Sequence, residues 1–501
     1  MTFCAYTVCA FLAALVRTLI ICVRRRLYFH PLSRVPGPLF AASTDCCVTY
    51  YDIVKDGATV DQLQKLHAIY GPVVRIGPNT VHFNNPDVYH RIYTRGTSFL
   101  KDHALYCAFP DGSSFGSIDP VQAKVRRDAI SPLFSRRAIA KLEPFIREKV
   151  DNLSDKLLAY QDASKPVDLL QALRAATLDI IFSYCFGEEC NALDAPDFKH
   201  PILMGADAVN RATLVFKAFP ALIYVQRFLI SFLQFVGCPT IGPGLLVNMN
   251  SAQLDRLLAN PRALDDAPHE TIFHHILPGA GTEKVTTAFP TRSSLLDEAL
   301  SLQIAGSHTV AAACYVGCFQ VLNNDGIRRR LVSELKDAMP DVVDAVRFEV
   351  VEKLSYLTAV IKESLRLSHG IVSPMLRTVN ADGVELDGIA VPRGTTVAIG
   401  NTFVHLDPEI FSNPETFDPE RWLKEDSSTL DHHLVAFSKG QRSCTGINLA
   451  WCELYMIFAS LFRRLDLELV DSSPASMEYS AHFVAVFRGE PVQAVVRPMT
   501  S

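Results

Sequence analysis

A ten-residue stretch near the C-terminus, Phe437 to Gly446 (FSKGQRSCTG), restricts the fold of this chain more than any other stretch. Cys444 precedes Thr445-Gly446 and an apolar run with helical spacing, so its sulfur lies at the N-terminus of a predicted helix. Backbone N–H groups and the helix dipole at that position favour a thiolate over a thiol. Gly440 and Gly446 permit tight turns and the close approach of a flat ligand.

The same stretch contains the partners that a planar, anionic cofactor needs. Arg442 lies two residues before the cysteine and can pair with a carboxylate of the ligand, and Phe437 can cover the sulfur. A thiolate beside an arginine-clamped planar group describes a heme proximal loop. The residues therefore predict a heme-binding loop around Cys444. The alternative is a buried structural thiol, which is the common state of cysteine in proteins.

FSKGQRSCTG matches the FxxGxRxCxG heme-binding signature of the cytochrome P450 superfamily at every fixed position, and the chain resembles that superfamily on these residues. Three further segments, 30–38 (HPLSRVPGP), 70–79 (YGPVVRIGPN) and 294–309 (SLLDEALSLQIAGSHT), are similar to fungal microsomal members in particular. The resemblance covers nearly the whole chain beyond its first residues. It implies a cytochrome P450 fold, mainly α with small β-sheets, and a heme-thiolate monooxygenase activity. It also implies heme b as the cofactor, with Cys444 as the axial ligand of the iron.

The hydrophobic pattern favours the same fold class. The apolar spacing is mainly helical from about residue 121 to 339, whereas strand patterns occur in short segments near 70–83, 384–400 and the C-terminus. No regular alternation of strands and helices indicates a doubly wound parallel sheet. The net charge is −5 and no dense basic tract occurs outside the N-terminal region, so we expect no nucleic-acid partner.

The N-terminal residues have the pattern of a membrane anchor. The run from Phe3 to Val23 is almost entirely apolar, apart from Arg17, and is long enough to cross a hydrocarbon layer of about 30 Å as a helix. Arg24, Arg25 and Arg26 follow, and positive charge stays on the cytosolic side. A cleaved signal peptide is the alternative, but its basic start and small-residue cleavage site are missing.

We expect a single-pass protein with an N-terminal transmembrane helix, and the resemblance implies the endoplasmic reticulum membrane. The predicted division is 1–26 for the anchor with its basic stop, 27–40 for a proline-rich hinge, and 41–501 for a cytosolic heme-thiolate monooxygenase domain. Residues 202–246 are also unusually apolar, with Phe216, Phe219, Ile223, Phe228, Phe232 and Phe235 among them. They form either buried core helices or a second surface that dips into the membrane.

A possible charge cluster begins with the E-x-x-R pair of Glu363 and Arg366. Taken alone, this spacing is that of an ordinary ion pair on one helix. Downstream, the segment FDPERW contains Arg421, which resembles the third member of the Glu-Arg-Arg triad of the superfamily. The resemblance implies a buried triad that locks the heme-binding region.

Two other segments resemble the strand and the helix whose arginines contact the heme propionates. SPMLR ends in Arg377, and Val372 and Met375 are expected to face the substrate. KVRRDAISPLFS supplies Arg127. Many members have an aromatic residue or a histidine four residues before this arginine, but this chain has Ala123.

The segment 302–313 (LQIAGSHTVAAA) has small polar residues inside an apolar helix, which weaken a helix unless they have another use. It resembles the distal pattern A-G-x-acid-T. Ala305 and Gly306 are then expected to open a groove for O2 beside the heme, and Thr309 to relay hydrogen bonds. His308 replaces the acid. It is a second catalytic candidate because histidine also relays protons near neutral pH, or it is a packed residue that faces away from the cavity.

The expected substrate is an apolar small molecule, because the chain is rich in phenylalanine around Phe109 and Phe115. These two residues, with Ala305, Val372 and Met375, are the predicted substrate pocket. A fungal secondary metabolite such as a terpenoid follows by analogy alone.

No flavin or nicotinamide fingerprint follows a predicted strand, so the electrons come from outside the chain. The resemblance implies NADPH–cytochrome P450 reductase, with cytochrome b5 as a second donor. Two other functions stay open. One is a heme-thiolate isomerase or dehydratase that acts without O2, and the other is a non-catalytic heme-binding or sensor protein. Thr309 disfavours both, because neither needs a relay for protons.

Overall fold

Helices make up most of the structure, a computed structural model that describes residues 2–162, 165–235, 243–277, 288–342 and 344–499. Their bounds are α1 Thr2–Tyr28, α2 Leu39–Ser43, α3 Cys46–Thr49, α4 Thr59–Tyr70, α5 Pro86–Ile92, α6 His103–Tyr106, α7 Pro120–Ile130, α8 Arg136–Asp162, α9 Leu169–Phe186, α10 Pro201–Ala218, α11 Ala221–Phe235, α12 Pro243–Ala259, α13 Ile272–Ile276, α14 Arg292–Leu322, α15 Asp325–Ala338, α16 Phe348–Val351, α17 Ser355–Ser368, α18 Asn401–His405, α19 Ser427–His433 and α20 Ile447–Arg464. The predicted mainly helical class is confirmed.

The strands are short and lie where the sequence pattern changes from helical to alternating. They are β1 Val73–Gly77, β2 Thr80–Phe83, β3 Phe99–Lys101, β4 Val167–Asp168, β5 Arg377–Val379, β6 Val384–Leu386, β7 Ile389–Val391, β8 Thr396–Ala398, β9 Leu465–Val470, β10 Tyr479–His482, β11 Val484–Phe487 and β12 Gln493–Pro498. The largest sheet has the order β1-β2-β8-β5-β3, in which only β2 and β8 are parallel. The pairs β10–β11 and β6–β7 are antiparallel hairpins, and β4, β12 and β9 form a third antiparallel sheet.

The long helix α14 crosses the middle of the domain and packs on α9 and α17. A Cβ atom added to Gly306 would lie 2.7 Å from Ile181 Cγ1 of α9, and one added to Gly317 would lie 2.2 Å from Ser364 Oγ of α17. Glycine at these positions allows the helices to approach more closely than a larger residue would. α14 therefore has a fixed position at the centre of the main hydrophobic core.

Two helices in the described part of the chain are long and apolar enough to cross a membrane, namely α9 and α14. Both are mostly buried in the domain, so packing explains their hydrophobicity. α1 is a continuous helix of 27 residues. Its apolar side chains Phe11, Leu12 and Ile20 are each at least half exposed.

The apolar region 202–246 divides into two different parts. α10 buries Ile202 and Leu203 in the core, as one interpretation of the sequence predicted. α11, in contrast, exposes large apolar side chains, among them Tyr224 and Phe228. Residues 236–242 and the side chain of Phe235 lie outside what the structure describes. A wholly buried core is therefore the wrong interpretation for α11.

Candidate active site

The loop before α20 wraps its backbone around Cys444. The Cys444 N–H donates to the Phe437 carbonyl at 2.8 Å, and Gly446 is the residue before the first turn of α20. Gly440 has φ of 73°, and a Cβ atom there would lie 2.5 Å from the Thr94 carbonyl oxygen. This position therefore requires glycine for both its backbone angle and its contact.

The Cys444 side chain is exposed, although the residue is surrounded by other parts of the fold. Burial raises the pKa of the Cys444 thiol, and the Gly446 backbone N–H and Arg127 offset this only in part. Burial therefore opposes the helix N-terminus, which by itself favours a thiolate. The positive charge of a bound iron would act in the same direction as the helix end.

Three predicted arginines converge near this cysteine. Arg127 donates to the Ser443 carbonyl at 2.8 Å, and Arg442 donates to the Ser117 carbonyl at 2.9 Å. Arg377 donates to the Tyr106 hydroxyl at 2.9 Å. The second terminal nitrogen of Arg442, Nη1, is buried and has no hydrogen-bond partner among the residues that the structure describes.

A fourth basic residue, Lys101, lies beside these arginines. The sequence analysis missed it. β3 and β5 are paired so that Lys101 lies directly opposite Arg377. The buried Nζ lies 4.1 Å from the centre of the Tyr106 ring and 3.9 Å from that of Phe115, and it donates to the Phe115 carbonyl. Only the pairing of two strands far apart in the chain reveals this residue, and no local motif contains it.

Mutual repulsion shows that these side chains form one group, which we call the cation cluster: Lys101, Arg127, Arg377 and Arg442. Burial lowers the pKa of Lys101 well below its usual value, and the three arginines act in the same direction. Burial also lowers the pKa of Arg442 to about 10, with Arg127 and Arg377 contributing. Among the described residues, no carboxylate forms an ion pair with any of the four cations. Such a group is stable only beside an anionic ligand.

The predicted triad is complete and buried. Arg366 donates to both oxygens of Glu363, at 2.6 and 2.9 Å, and Arg421 Nε donates to Oε1 at 3.1 Å. Trp422 Nε1 donates to Oε2 at 2.8 Å. Backbone carbonyls accept the remaining arginine N–H groups, including that of His405 at 2.9 Å from Arg366 Nη1. The triad thus joins α17 to the segment that precedes the cysteine loop.

The distal segment of α14 presents different residues to different neighbours. Ala305 is exposed and Thr309 is half-buried, although α14 is mostly buried, and Thr309 Oγ1 donates to the Ala305 carbonyl at 3.0 Å. The Cα hydrogens of Gly306 face α9, where the helices meet. His308 is buried against β11, and its Nε2 donates to the Ala485 carbonyl at 2.9 Å.

An aromatic cluster lies above the cation cluster, and it contains two of the predicted pocket residues. Phe109 and Phe115 have ring centres 5.2 Å apart, and Phe483 lies 4.7 Å from Phe109. Ile371 and Leu376 pack against this cluster. The sequence analysis missed Phe483 because it follows β10, far from the other members in the chain.

Val372 and Met375 are placed differently from the expectation. Both are buried in the second hydrophobic core beside the mixed sheet, at 0% and 5% exposure. Their neighbours Ile371 and Leu376 contact the aromatic cluster instead.

Comparison with known proteins agrees with this geometry. The sequence model of the Cytochrome P450 family matches residues 47–493. The chain is a member of the cytochrome P450 family. It is 33% identical to Cytochrome P450 monooxygenase macH of Penicillium terrestre over 475 residues, covering 93% of this chain and 92% of the relative. It is 34% identical over 470 residues to Tryptophan 6-hydroxylase fscE of Fusarium equiseti, covering 92% and 90%.

Membership establishes a heme-thiolate monooxygenase with the cytochrome P450 fold, and it implies heme, a cysteine thiolate and O2. The residues of this chain fit that cofactor. Heme carries two carboxylates, and the cation cluster provides positive charge that the chain leaves unneutralised, including the unpartnered Nη1 of Arg442. Cys444 provides the sulfur beside it.

Proposed function

We propose that this cytochrome P450 inserts one oxygen atom of O2 into an apolar small molecule of fungal secondary metabolism, with electrons from NADPH–cytochrome P450 reductase. The observation that carries the proposal is Cys444 beside a cation cluster that has no carboxylate partner among the described residues. Family membership supports the reaction class, and related monooxygenases come from several fungi.

Each residue of the cysteine loop and of the cation cluster has a separate task in this proposal. Cys444 would provide the thiolate ligand of the iron, and Lys101, Arg127, Arg377 and Arg442 would bind the two heme carboxylates. Heme held by a thiolate supplies O2 binding and an electron push that favours O–O cleavage. Phe437 shields the sulfur, while Gly440 and Gly446 give the loop its path. Lys101 adds a fourth basic side chain to the three predicted arginines.

On the distal side, Thr309 is the proposed proton relay. Its hydroxyl hydrogen rests on the Ala305 carbonyl at 3.0 Å, so the oxygen lone pairs are available to accept a proton from water in the cavity. Rotation about χ1 then lets the same hydroxyl donate toward the cavity. Ala305 keeps the exposed side of this turn small, which leaves space for O2. Gly306, which was expected to open the same groove, instead faces Ile181 of α9 and allows the two helices to pack closely.

The aromatic cluster of Phe109, Phe115 and Phe483 supports an apolar substrate. Its three rings offer stacking and edge contacts, and none carries a polar group to orient a charged ligand. A terpenoid fits this surface. One relative is named a tryptophan hydroxylase, so aromatic substrates belong in the same search.

We further propose that α1 anchors the protein in the endoplasmic reticulum membrane, with residues 1–26 as anchor and stop, 27–40 as hinge and 41–501 in the cytosol. Exposed Leu15, Leu19 and Ile20 support this, because an unpartnered apolar helix requires a nonaqueous surrounding. The exposed apolar face of α11, with Tyr224 and Phe228, suits a second contact with the same surface.

The first experiment tests the sulfur ligand by the ferrous–CO spectrum of the full chain. The wild type should give the absorption band specific for a thiolate ligand, and Cys444→Ser should lose it. Cys452→Ser is the matched control, because Cys452 lies on α20 but is buried in the core. Loss of the band in the control but not in Cys444→Ser would contradict the assignment.

The second experiment separates a monooxygenase from the alternatives. The wild type with reductase and NADPH is screened with terpenoid, polyketide and aromatic compounds for a type I spectral shift, then for product. Product that requires both NADPH and O2 supports the proposal. Product formed without either indicates an isomerase or dehydratase, and tight binding of the compounds without product indicates a sensor.

A further inference from the structure

The hairpin β10–β11 reverses direction at a single residue, Phe483, which has φ of 73° although it is not glycine. Tertiary contacts must hold such a backbone angle. The Phe483 carbonyl accepts from Val372 N at 3.0 Å, and its N–H donates to Ser373 Oγ at 3.0 Å. Its ring lies 4.7 Å from that of Phe109. The turn therefore inserts an aromatic side chain into the proposed substrate pocket.

The outgoing strand of this hairpin is attached to α14. His308 Nε2 lies 2.9 Å from the Ala485 carbonyl oxygen. A carbonyl only accepts, so Nε2 carries the hydrogen. Two turns further along the helix, the Tyr315 ring lies 4.7 Å from that of Phe487. Residues 308 and 315 share one face of α14, and residues 485 and 487 share one side of β11.

The charges around His308 keep its ring neutral. Burial lowers the pKa of His308 to about 4, and the positive charge of Arg174 acts in the same direction. Arg174 on α9 donates to both oxygens of Asp207 on α10, at 2.6 and 2.9 Å. Because Asp207 already neutralises Arg174, no charge is needed at position 308. The ring nitrogen Nδ1 is buried and has no partner, so it offers no onward path for a proton.

We propose that His308 is a positioning residue that ties the turn of α14 carrying Thr309 to the substrate-facing hairpin through the hydrogen bond to Ala485. The proposal rests on the proposed function and deepens it. The bond holds the hairpin and this turn of α14 in one relative position, so Phe483 and Thr309 keep a fixed separation across the proposed pocket. The side chain that replaces the usual acid thus positions the relay residue and does not transfer protons itself.

The bond can be tested by substitutions that keep or remove the donor. His308→Gln places an amide N–H where Nε2 lies, His308→Leu removes the donor, and His308→Glu introduces the usual acid, which as a carboxylate cannot donate to Ala485. The matched control is Tyr315→Phe, which keeps the ring contact to Phe487 and loses only the hydroxyl that accepts from Val492 N at 3.0 Å.

Hydrogen–deuterium exchange of the heme-loaded full chain measures how strongly the His308–Ala485 hydrogen bond stabilises the hairpin and α14. We expect amides of residues 479–487 and 305–312 to exchange about tenfold faster in His308→Leu and His308→Glu than in the wild type. His308→Gln and Tyr315→Phe should stay within about twofold in these segments. Unchanged exchange in His308→Leu would overturn the proposal. If that variant does not load heme, His308→Asn, whose shorter amide cannot reach Ala485, replaces it under the same criterion.

Release of hydrogen peroxide per NADPH consumed, with reductase and without substrate, distinguishes positioning from proton transfer. If His308 is a positioning residue, His308→Leu and His308→Glu should release several-fold more peroxide per NADPH than the wild type, and His308→Gln should release about as much as the wild type. The wild-type ratio of peroxide to NADPH should not change between about pH 6 and 8.5, because His308 is neutral there. Three results would overturn the proposal. They are equal peroxide release in His308→Gln and His308→Leu, a wild-type level of peroxide in His308→Glu, and a wild-type ratio of peroxide to NADPH that changes with pH near neutrality. A wild type that forms no thiolate ferrous–CO band contradicts the proposed function alone, since the exchange data do not depend on turnover.

Discussion

The cation cluster and the Glu363–Arg366–Arg421 triad both bring together positive side chains that are buried or half-buried, but among the described residues only the triad contains a neutralising carboxylate. In the triad, both oxygens of Glu363 accept from arginine, and backbone carbonyls accept the surplus N–H groups. In the cation cluster, described carbonyls and hydroxyls accept a few N–H groups and Arg442 Nη1 has no acceptor. A buried charge that the protein itself neutralises is structural, whereas one left for a ligand indicates a binding site.

Removing the carboxylate of the triad should have the largest effect on stability. Glu363→Ala leaves two arginines, Arg366 and Arg421, buried without their counterion. This should lower the free energy of unfolding by about 3–5 kcal/mol. Urea titration of the purified chain and the yield of heme-loaded protein measure the effect. If the variant has the heme-loaded yield and the urea midpoint of the wild type, the backbone carbonyls alone satisfy the arginines. The distinction between the triad and the cation cluster would then be wrong.

A third buried ionisable side chain, Glu298, differs from both the triad and the cation cluster. Its two oxygens accept from the N–H (2.5 Å) and the hydroxyl (2.8 Å) of Ser114. Among the described residues, no cation donates to them. Burial raises the pKa of Glu298 to about 7. The folded state then binds a proton that the unfolded chain has released, so stability falls as the pH rises from about 4.5 to 7.

Glu298→Gln should remove this loss of stability at high pH, because the glutamine amide is uncharged and can hydrogen-bond to both the N–H and the hydroxyl of Ser114. At pH 8 we expect the variant to be more stable than the wild type by ~2–3 kcal/mol, and equal to it near pH 4.5. Thermal denaturation across this pH range checks the sign. A variant that is less stable at pH 8 would show that Glu298 is ionised and well solvated in the folded state.

Substitution in the cation cluster should have opposite effects on the chain and on its ligand. Arg442→Met relieves repulsion from Arg127 and Arg377, so the heme-free chain should be unchanged or more stable by ~1–2 kcal/mol. Heme should leave about tenfold faster, which corresponds to about 1.4 kcal/mol. Transfer of heme to excess apomyoglobin measures the second effect, with Arg442→Lys as the charge-retaining control. Slower heme loss in Arg442→Met would contradict the assignment of the cluster to the carboxylates.

An exposed pair provides the smallest expected effect. Lys124 and Asp128 form an ion pair on α7 with side chains 75% and 61% exposed. Asp128→Ala should change the free energy of unfolding by no more than about 0.5 kcal/mol, because water screens both charges. Salt titration of the two proteins should remove even this difference. A change above about 1 kcal/mol would show that burial is not what separates the other clusters from an ordinary surface pair.

The sequence predicted most reliably what depends on near neighbours in the chain. Cys444, Arg442 and Gly440 share one loop, and Glu363 and Arg366 are three residues apart on one helix. Lys101 and the contact of His308 with Ala485 were beyond such reasoning, because strand pairing and helix packing join residues that are 276 and 177 positions apart. Val372 and Met375 show a further limit, since the direction in which an extended segment faces depends on its tertiary partners.

The end of α1 has a mechanical consequence. The helix continues without interruption through Arg24–Arg26 to Tyr28, and Arg26 Nη1 donates to the Ser43 carbonyl at 2.6 Å. At 1.5 Å per residue the helix is about 40 Å long, some 10 Å more than the hydrocarbon layer of the proposed membrane. The bond from Arg26 to Ser43 joins this excess length to the residues just after the proline-rich hinge. In the proposed membrane topology, such a link would restrict how far the catalytic domain turns relative to the helix, and therefore relative to the lipid.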